Sequence, residues 1–406
     1  MNLLEKLLGR VRPRPPHAGT PATDGASRSS QVADTIDRAL NAAGLTQQGG
    51  LGGNVRATID QSLARAGLAR PMQPAPATAP PAARERAPAP NARPAAGGAW
   101  LARTFRNDVG ALDYKLYVPS GPPRGASAPM PLVVMLHGCT QSPDDFAAGT
   151  GMNALAYLHG FLVAYPAQTP RANGNKCWNW FRPGDQAHGR GEPSLIAGIV
   201  GDVAADHRVD PQRVFVAGLS AGAAMAVILG ETYPDVFAAV GAHSGLPFAA
   251  AHDMGSAFTA MSAGAPGKAG SPRVRSARRA VPTIVFHGDA DHTVAPSNGE
   301  AIVRDATAGT TQSSTHAGVA PGGRSYTQEV FDGTAGRARA EHWTVHGAGH
   351  AWSGGSERGT YTDPSGPDAS AEMVRFFLQQ PGNAQRATST APSPTASTDS
   401  PDPPAT

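Results

Sequence analysis

Residues 214–225, VFVAGLSAGAAM, constrain this chain more than any other stretch. An apolar run that reads as a buried strand stops at Gly218-Leu219-Ser220-Ala221-Gly222, and the chain resumes in small residues of helical character. Strand, sharp turn and helix with a serine at the apex make the G-x-S-x-G motif. The two glycines have a steric reason. A serine on so sharp a turn sits at strained backbone angles, and a side chain two places to either side would collide with the neighbouring strand or helix. The turn lifts the Ser220 hydroxyl above the sheet edge, and the N–H groups opening the next helix point at any negative charge formed there. A bare motif of this kind arises by chance, but here both the strand and the helix are present. Ser220 is the candidate nucleophile.

Only the middle of the chain reads as able to build a core. Residues 1–98 are rich in Ala, Pro and Gly, and residues 381–406 in Pro, Ser and Thr. Both are expected to be disordered extensions around one domain at residues 99–380. The net charge of +3 is small for 406 residues, and the arginines gather near the N-terminus and around residues 273–279. That pattern reads as solvated surface and not as a nucleic-acid site. No stretch has the roughly 18 unbroken apolar residues of a membrane span, and the first residues lack the apolar run and small-residue cleavage site of a secretory signal. Leu3, Leu4, Leu7 and Leu8 instead line one face of a short basic helix, suited to a membrane or a lipid-coated particle, or without a partner. A segment at residues 32–45 recurs 23 positions later at residues 55–68. Each copy predicts a short helix ending at glycine.

From Trp100 onward, alternating Leu112–Val118 reads as an edge strand, and residues 131–136, 161–165, 214–219, 237–243, 283–286 and 342–345 as further strands. Helices are expected near residues 146–159, 194–207, 297–306 and 369–378. Continuous apolar strands alternating with helices mean a mostly parallel sheet covered on both faces, with functional groups at the carboxyl ends of its strands. Each motif obeys that rule, in the chain order Ser220, Asp291, His350. A serine hydroxyl needs an imidazole to take its proton, and the imidazole needs a buried carboxylate to fix its tautomer. Asp289 competes with Asp291, but it follows Gly288 directly, where a turn aspartate tends to bond its own backbone; Asp291 has more freedom to reach across. His342 and His346 flank the last strand and read as structural, whereas His350 sits among glycines in a loop.

The N–H of Ala221 and one from the His137-Gly138-Cys139-Thr140 loop, Cys139 being the choice, would complete an oxyanion hole. The two cysteines, Cys139 and Cys177, fall in loops at one edge of the expected sheet. A bridge between them would contribute roughly 4 kcal/mol by loop entropy; two free thiols in a cytosolic protein is the alternative. Trp178, Trp180 and Trp352 are candidates either to line an apolar acyl pocket or to pack the core. His, Cys and carboxylates show no metal-ligand spacing, so neither metal nor cofactor is expected.

Leu136-His137-Gly138-Cys139-Thr140-Gln141, Cys177-Trp178-Asn179-Trp180, Gly218-Leu219-Ser220-Ala221-Gly222, His287-Gly288-Asp289-Ala290-Asp291 and Gly349-His350-Ala351-Trp352 together resemble the poly(3-hydroxybutyrate) depolymerase family of esterases. The resemblance spans about residues 101–380. It implies an α/β-hydrolase that cleaves ester bonds of short-chain polyhydroxyalkanoates or their oligomers, with its triad on Ser220, Asp291 and His350. Relatives with such a domain include feruloyl and acetyl-xylan esterases, which supply the alternative substrates. A granule-attached scaffold is the alternative of another class. The absence of an export signal and of a polymer-binding domain after residue 380 leads to the expectation of a cytoplasmic enzyme, associated with storage granules through its N-terminal region. Secretion by a route without a recognisable signal is the alternative.

Overall fold

The structure, a computed structural model, describes residues 97–121, 128–265, 281–307, 312–333 and 337–380. The N-terminal helices, their repeat and the polar tail proposed from sequence lie outside the described residues.

Ten strands form one sheet in the order β1-β2-β4-β3-β5-β6-β7-β10-β9-β8. They are β1 (Gly98–Asn107), β2 (Gly110–Pro119), β3 (Met130–Leu136), β4 (Leu162–Ala167), β5 (Val209–Leu219), β6 (Ala239–His243), β7 (Thr283–Gly288), β8 (Ser313–Val319), β9 (Ser325–Asp332) and β10 (Ala338–Val345). The run from β4 to β10 is parallel throughout, and β1–β2 at one end and β9–β8 at the other are antiparallel. The parallel strands carry Val, Ile, Leu, Phe and Ala on both faces because helices cover both. Val134, Leu136, Val214 and Val216 pack on one side, and Val133, Met135, Phe215 and Ala217 on the other. This is the α/β-hydrolase arrangement that the sequence predicts.

The edge strand is one place to correct: β2 is covered by β1, so residues 112–118 lie one strand in from the edge. The single helix expected near residues 146–159 is two, α1 (Pro143–Thr150) and α2 (Met152–His159), because Gly151 between them takes a left-handed φ of 61° and ends the first. The remaining helices are α3 (Gly191–Asp206), α4 (Ala221–Thr232), α5 (Met254–Ala263), α6 (Ser297–Ala306) and α7 (Ala369–Gln379). Two short strands, β11 (Trp352–Ser353) and β12 (Thr362–Asp363), pair with each other beyond β10. No described helix is long and apolar enough to cross a membrane.

Candidate active site

Ser220 sits between β5 and α4 at φ 57° and ψ −119°, backbone angles that a non-glycine residue adopts only when its surroundings impose them. The surroundings are on hand. The Ser220 N–H donates to the His243 carbonyl at the end of β6 (2.9 Å). A Cβ at Gly222 would strike the carbonyl oxygens of Leu136 and His137, and one at Gly218 would strike the backbone of Gly222. The elbow is pressed so closely onto the β3 loop that only hydrogen fits at either flank.

β7 and β10 pair in parallel, which brings their trailing loops together. There the two aspartates that compete in the sequence take different histidines. Asp291 Oδ2 accepts from His350 Nδ1 at 2.7 Å, while Asp291 Oδ1 accepts the N–H groups of Thr293 and Val294, both at 2.9 Å. Burial pushes the Asp291 carboxyl up, but hydrogen bonds from His287 and His350, the charge of His350 and the Val294 N–H outweigh it and hold it well below the usual carboxylate range. The acid is therefore an anion at working pH and keeps the proton of His350 on Nδ1, leaving Nε2 as the acceptor. Asp289 pairs with His346 (2.9 Å) and takes the Gly347 N–H, and His346 Nε2 meets the Thr327 hydroxyl (2.9 Å). That couple is solvent-exposed and ties the loop carrying His350 to β9. Among the described residues no hydrogen bond joins the Ser220 hydroxyl to His350; such contacts are commonly long before substrate binds and tighten in the complex.

The two N–H groups expected from sequence to form an oxyanion hole, those of Ala221 and Cys139, lie at the start of α4 and in the loop after β3. Ala221 opens α4, so its N–H has no intrahelical acceptor. In the β3 loop, the Gly138 N–H donates to the Gln141 side chain (2.9 Å) and the Thr140 N–H to the Asn175 carbonyl (2.7 Å). Between them the Cys139 N–H has no partner among the described residues. The loop is held by the expected disulfide, Cys139–Cys177, which closes 38 residues of chain. His137 is buried with Nδ1 on the Gly138 carbonyl and Nε2 accepting the Gln168 N–H, and burial lowers its pKa to about 4. It is a fixed neutral strut.

The three tryptophans fall on the packing side of their two readings. Trp178 and Trp352 are fully buried and Trp180 is 5% exposed. Trp178 donates from Nε1 to the His137 carbonyl (3.0 Å), propping the loop after β3. Trp352 lies against His243 and donates to Ser370. Trp180 packs edge-on to Phe181.

Sequence reasoning missed His243 and Glu192. His243 receives the Ser353 N–H on Nε2 while its carbonyl holds Ser220, and burial lowers its pKa to about 3. Its place at a strand end, before Ser244-Gly245, was the available signal. Glu192, at the start of α3, accepts the Asn179 N–H (2.7 Å) and the side-chain amides of Asn179 and Gln168. It anchors the tryptophan loop, and no motif marks it.

Burial pushes the Glu192 carboxyl up to about 7 from an ordinary 4.5, despite its hydrogen bonds from Asn179 and Gln168. The folded protein thus keeps a proton that the unfolded chain releases at lower pH, so this group's share of stability falls as pH rises through that window. The share is on the order of 2–3 kcal/mol. Between about pH 5 and about pH 8 the melting temperature of Glu192→Gln should gain roughly 5 °C relative to the parent. A gap that stays constant across the range contradicts the shift. Among the described residues no three His, Cys, Asp or Glu side chains are grouped to hold a metal ion.

Residues 112–310 match the family described as Esterase PHB depolymerase. Poly(3-hydroxyalkanoate) depolymerase C of Paucimonas lemoignei is 39% identical over 269 residues, covering 64% of this chain and 61% of the relative. Poly(3-hydroxybutyrate) depolymerase of Ralstonia pickettii is 29% identical over 294 residues, covering 66% and 58%. The chain thus spans about three fifths of the length of the curated relatives it matches. Among solved structures, an acetyl xylan esterase from Aspergillus awamori superposes with a TM-score of 0.51 at 20% identity, covering 69% of this chain and 99% of the other, a likeness of fold.

Proposed function

We propose that the chain is a carboxylic ester hydrolase acting on poly(3-hydroxybutyrate) or its oligomers by acyl transfer through Ser220. The observation that carries the reading is the 2.7 Å hydrogen bond from His350 to a buried, ionised Asp291 on the loops beside the elbow. His350 Nε2 takes the Ser220 proton as the hydroxyl attacks the ester carbonyl. The N–H groups of Ala221 and Cys139 receive the oxyanion, a type of stabilisation whose single donors are each typically worth about 3 kcal/mol. The imidazolium returns its proton to the departing alcohol, and water activated on the same ring hydrolyses the acyl-enzyme. The two depolymerase relatives support the polyester as substrate.

On location, the Cys139–Cys177 bridge favours export over the cytoplasm, because cytosolic reductants keep such thiols apart. Docking of the N-terminal leucine face on a storage granule belongs to the cytoplasmic alternative, and deleting residues 1–98 tests it separately from hydrolysis.

The test is parallel incubation of the purified full chain with amorphous poly(3-hydroxybutyrate) granules, soluble hydroxybutyrate trimer and methyl ferulate, with products identified. Release of hydroxybutyrate or its oligomers is expected. Turnover of methyl ferulate alone would replace the polyester with a phenolic ester.

A further inference from the structure

A hollow of about 470 Å³ opens beside the oxyanion loop, walled by Thr140, Gln141, Asp145, Lys176, Thr360 and Tyr361. Its walls belong to the segments that build the candidate active site. Thr140 follows Cys139, Lys176 precedes the Cys177 that is bridged to it, and the Tyr361 carbonyl accepts the N–H of Trp352, two residues after His350.

Three of these residues share an unusual backbone. Thr140 (φ 68°), Lys176 (φ 53°) and Tyr361 (φ 53°) are among only six described non-glycine residues at positive φ, another being Ser220. Glycine would adopt these angles at no steric cost, whereas a side chain there is strained by roughly 1–3 kcal/mol. Three side chains are thus held, at a cost, around one hollow.

Their chemistry is specific. The Gln141 side chain is occupied by Gly138, Asp145 and Thr360, and both Asp145 oxygens are occupied by Thr360 and Gln141. The Thr140 and Tyr361 hydroxyls share one hydrogen bond of 3.3 Å, in which either can donate, so one hydroxyl proton is left over. Lys176 is half-buried and forms no ion pair among the described residues. Ser142 also lines the hollow and accepts the Asp145 N–H, so what the hollow still offers is one ammonium, the leftover hydroxyl donor of the Thr140–Tyr361 pair and the hydroxyl donor of Ser142, a set that suits a carboxylate.

We propose that this hollow binds the free carboxylate end of a short hydroxyalkanoate oligomer, through Lys176 and the Thr140–Tyr361 hydroxyl pair, and so selects acid-terminated soluble oligomers. The proposal rests on the polyester reading for its substrate and on the hollow for its carboxylate. It makes Lys176 a specificity-determining residue.

The test uses Lys176→Asn, because asparagine tolerates the left-handed backbone while the ammonium and its stem are removed. Two ratios are measured on the full chain. The first is kcat/KM for hydroxybutyrate trimer as the free acid over that for its methyl ester. The second is the inhibition constant of 3-hydroxybutyrate against p-nitrophenyl butyrate hydrolysis, over that of methyl 3-hydroxybutyrate. Loss of a charge-assisted contact should lower the first ratio, and raise the second, roughly tenfold in the variant, with Lys176→Arg restoring most of each. Both ratios unchanged, with the trimer still cleaved, overturns the carboxylate site and leaves the polyester reading standing. A trimer that is not cleaved at all, with the inhibition ratio still dependent on Lys176, overturns the polyester reading and upholds the carboxylate site.

Discussion

Ser220→Ala is expected to leave less than about a thousandth of the parent's kcat/KM on p-nitrophenyl butyrate, with the fold intact. The magnitude follows from what the substitution removes. The covalent path is lost outright, and the oxyanion donors and His350 remain to assist only a direct attack by water, which typically gives a small residue of catalysis. The fold should survive because the hydroxyl takes part in no hydrogen bond among the described residues, and the strain at φ 57° is imposed by the Ser220 backbone N–H on His243, which alanine keeps. Circular dichroism and melting temperature check the fold alongside the rate. A variant that is folded and retains more than a thousandth of the rate would require another nucleophile.

Asp291→Asn should lower kcat by about 10³–10⁴, and Asp289→Asn by no more than a few-fold. At position 291 the amide oxygen must face the Thr293 and Val294 N–H groups, which need an acceptor. The amide NH₂ is then turned toward His350 Nδ1, and the imidazole must present its lone pair there. Its proton moves to Nε2, the atom that should receive the proton of serine. The ring is still held, but in the wrong tautomer, so the loss should appear in kcat more than in KM. Asp289 sits outside this chain of protons, on His346. Burial raises its carboxyl less than His346 and the Gly347 N–H lower it, so the couple stabilises a surface loop without reaching the ester. Equal losses in the two variants would mean that the acid role is not confined to Asp291.

The elbow, the parallel strands and the loops holding Asp291 and His350 were legible because each is written locally, in an apolar run followed by glycine. The β8–β9 hairpin was not. Its residues, SSTHAGV and SYTQEVFD, are mostly exposed or half-buried and polar, so no buried face prints a period on the sequence. The fate of the tryptophans was ambiguous for a different reason: an aromatic side chain in a loop has the same composition whether it faces a ligand or the underside of a strand. Trp178 went inward because its indole N–H had the His137 carbonyl to meet. The hollow around Lys176 was invisible, since it depends on backbone angles that Thr, Lys and Tyr rarely adopt and that no pattern of residue types predicts.

The bridge between Cys139 and Cys177 bears on when the cost of order is met. In the mechanism proposed here the Cys139 amide must be in place each time an ester carbonyl becomes tetrahedral. A free loop would have to be organised afresh in every catalytic cycle, out of the energy of substrate association. Tied to the neighbouring loop by a covalent bond, it is organised once, during oxidative folding, and every later turnover inherits that arrangement.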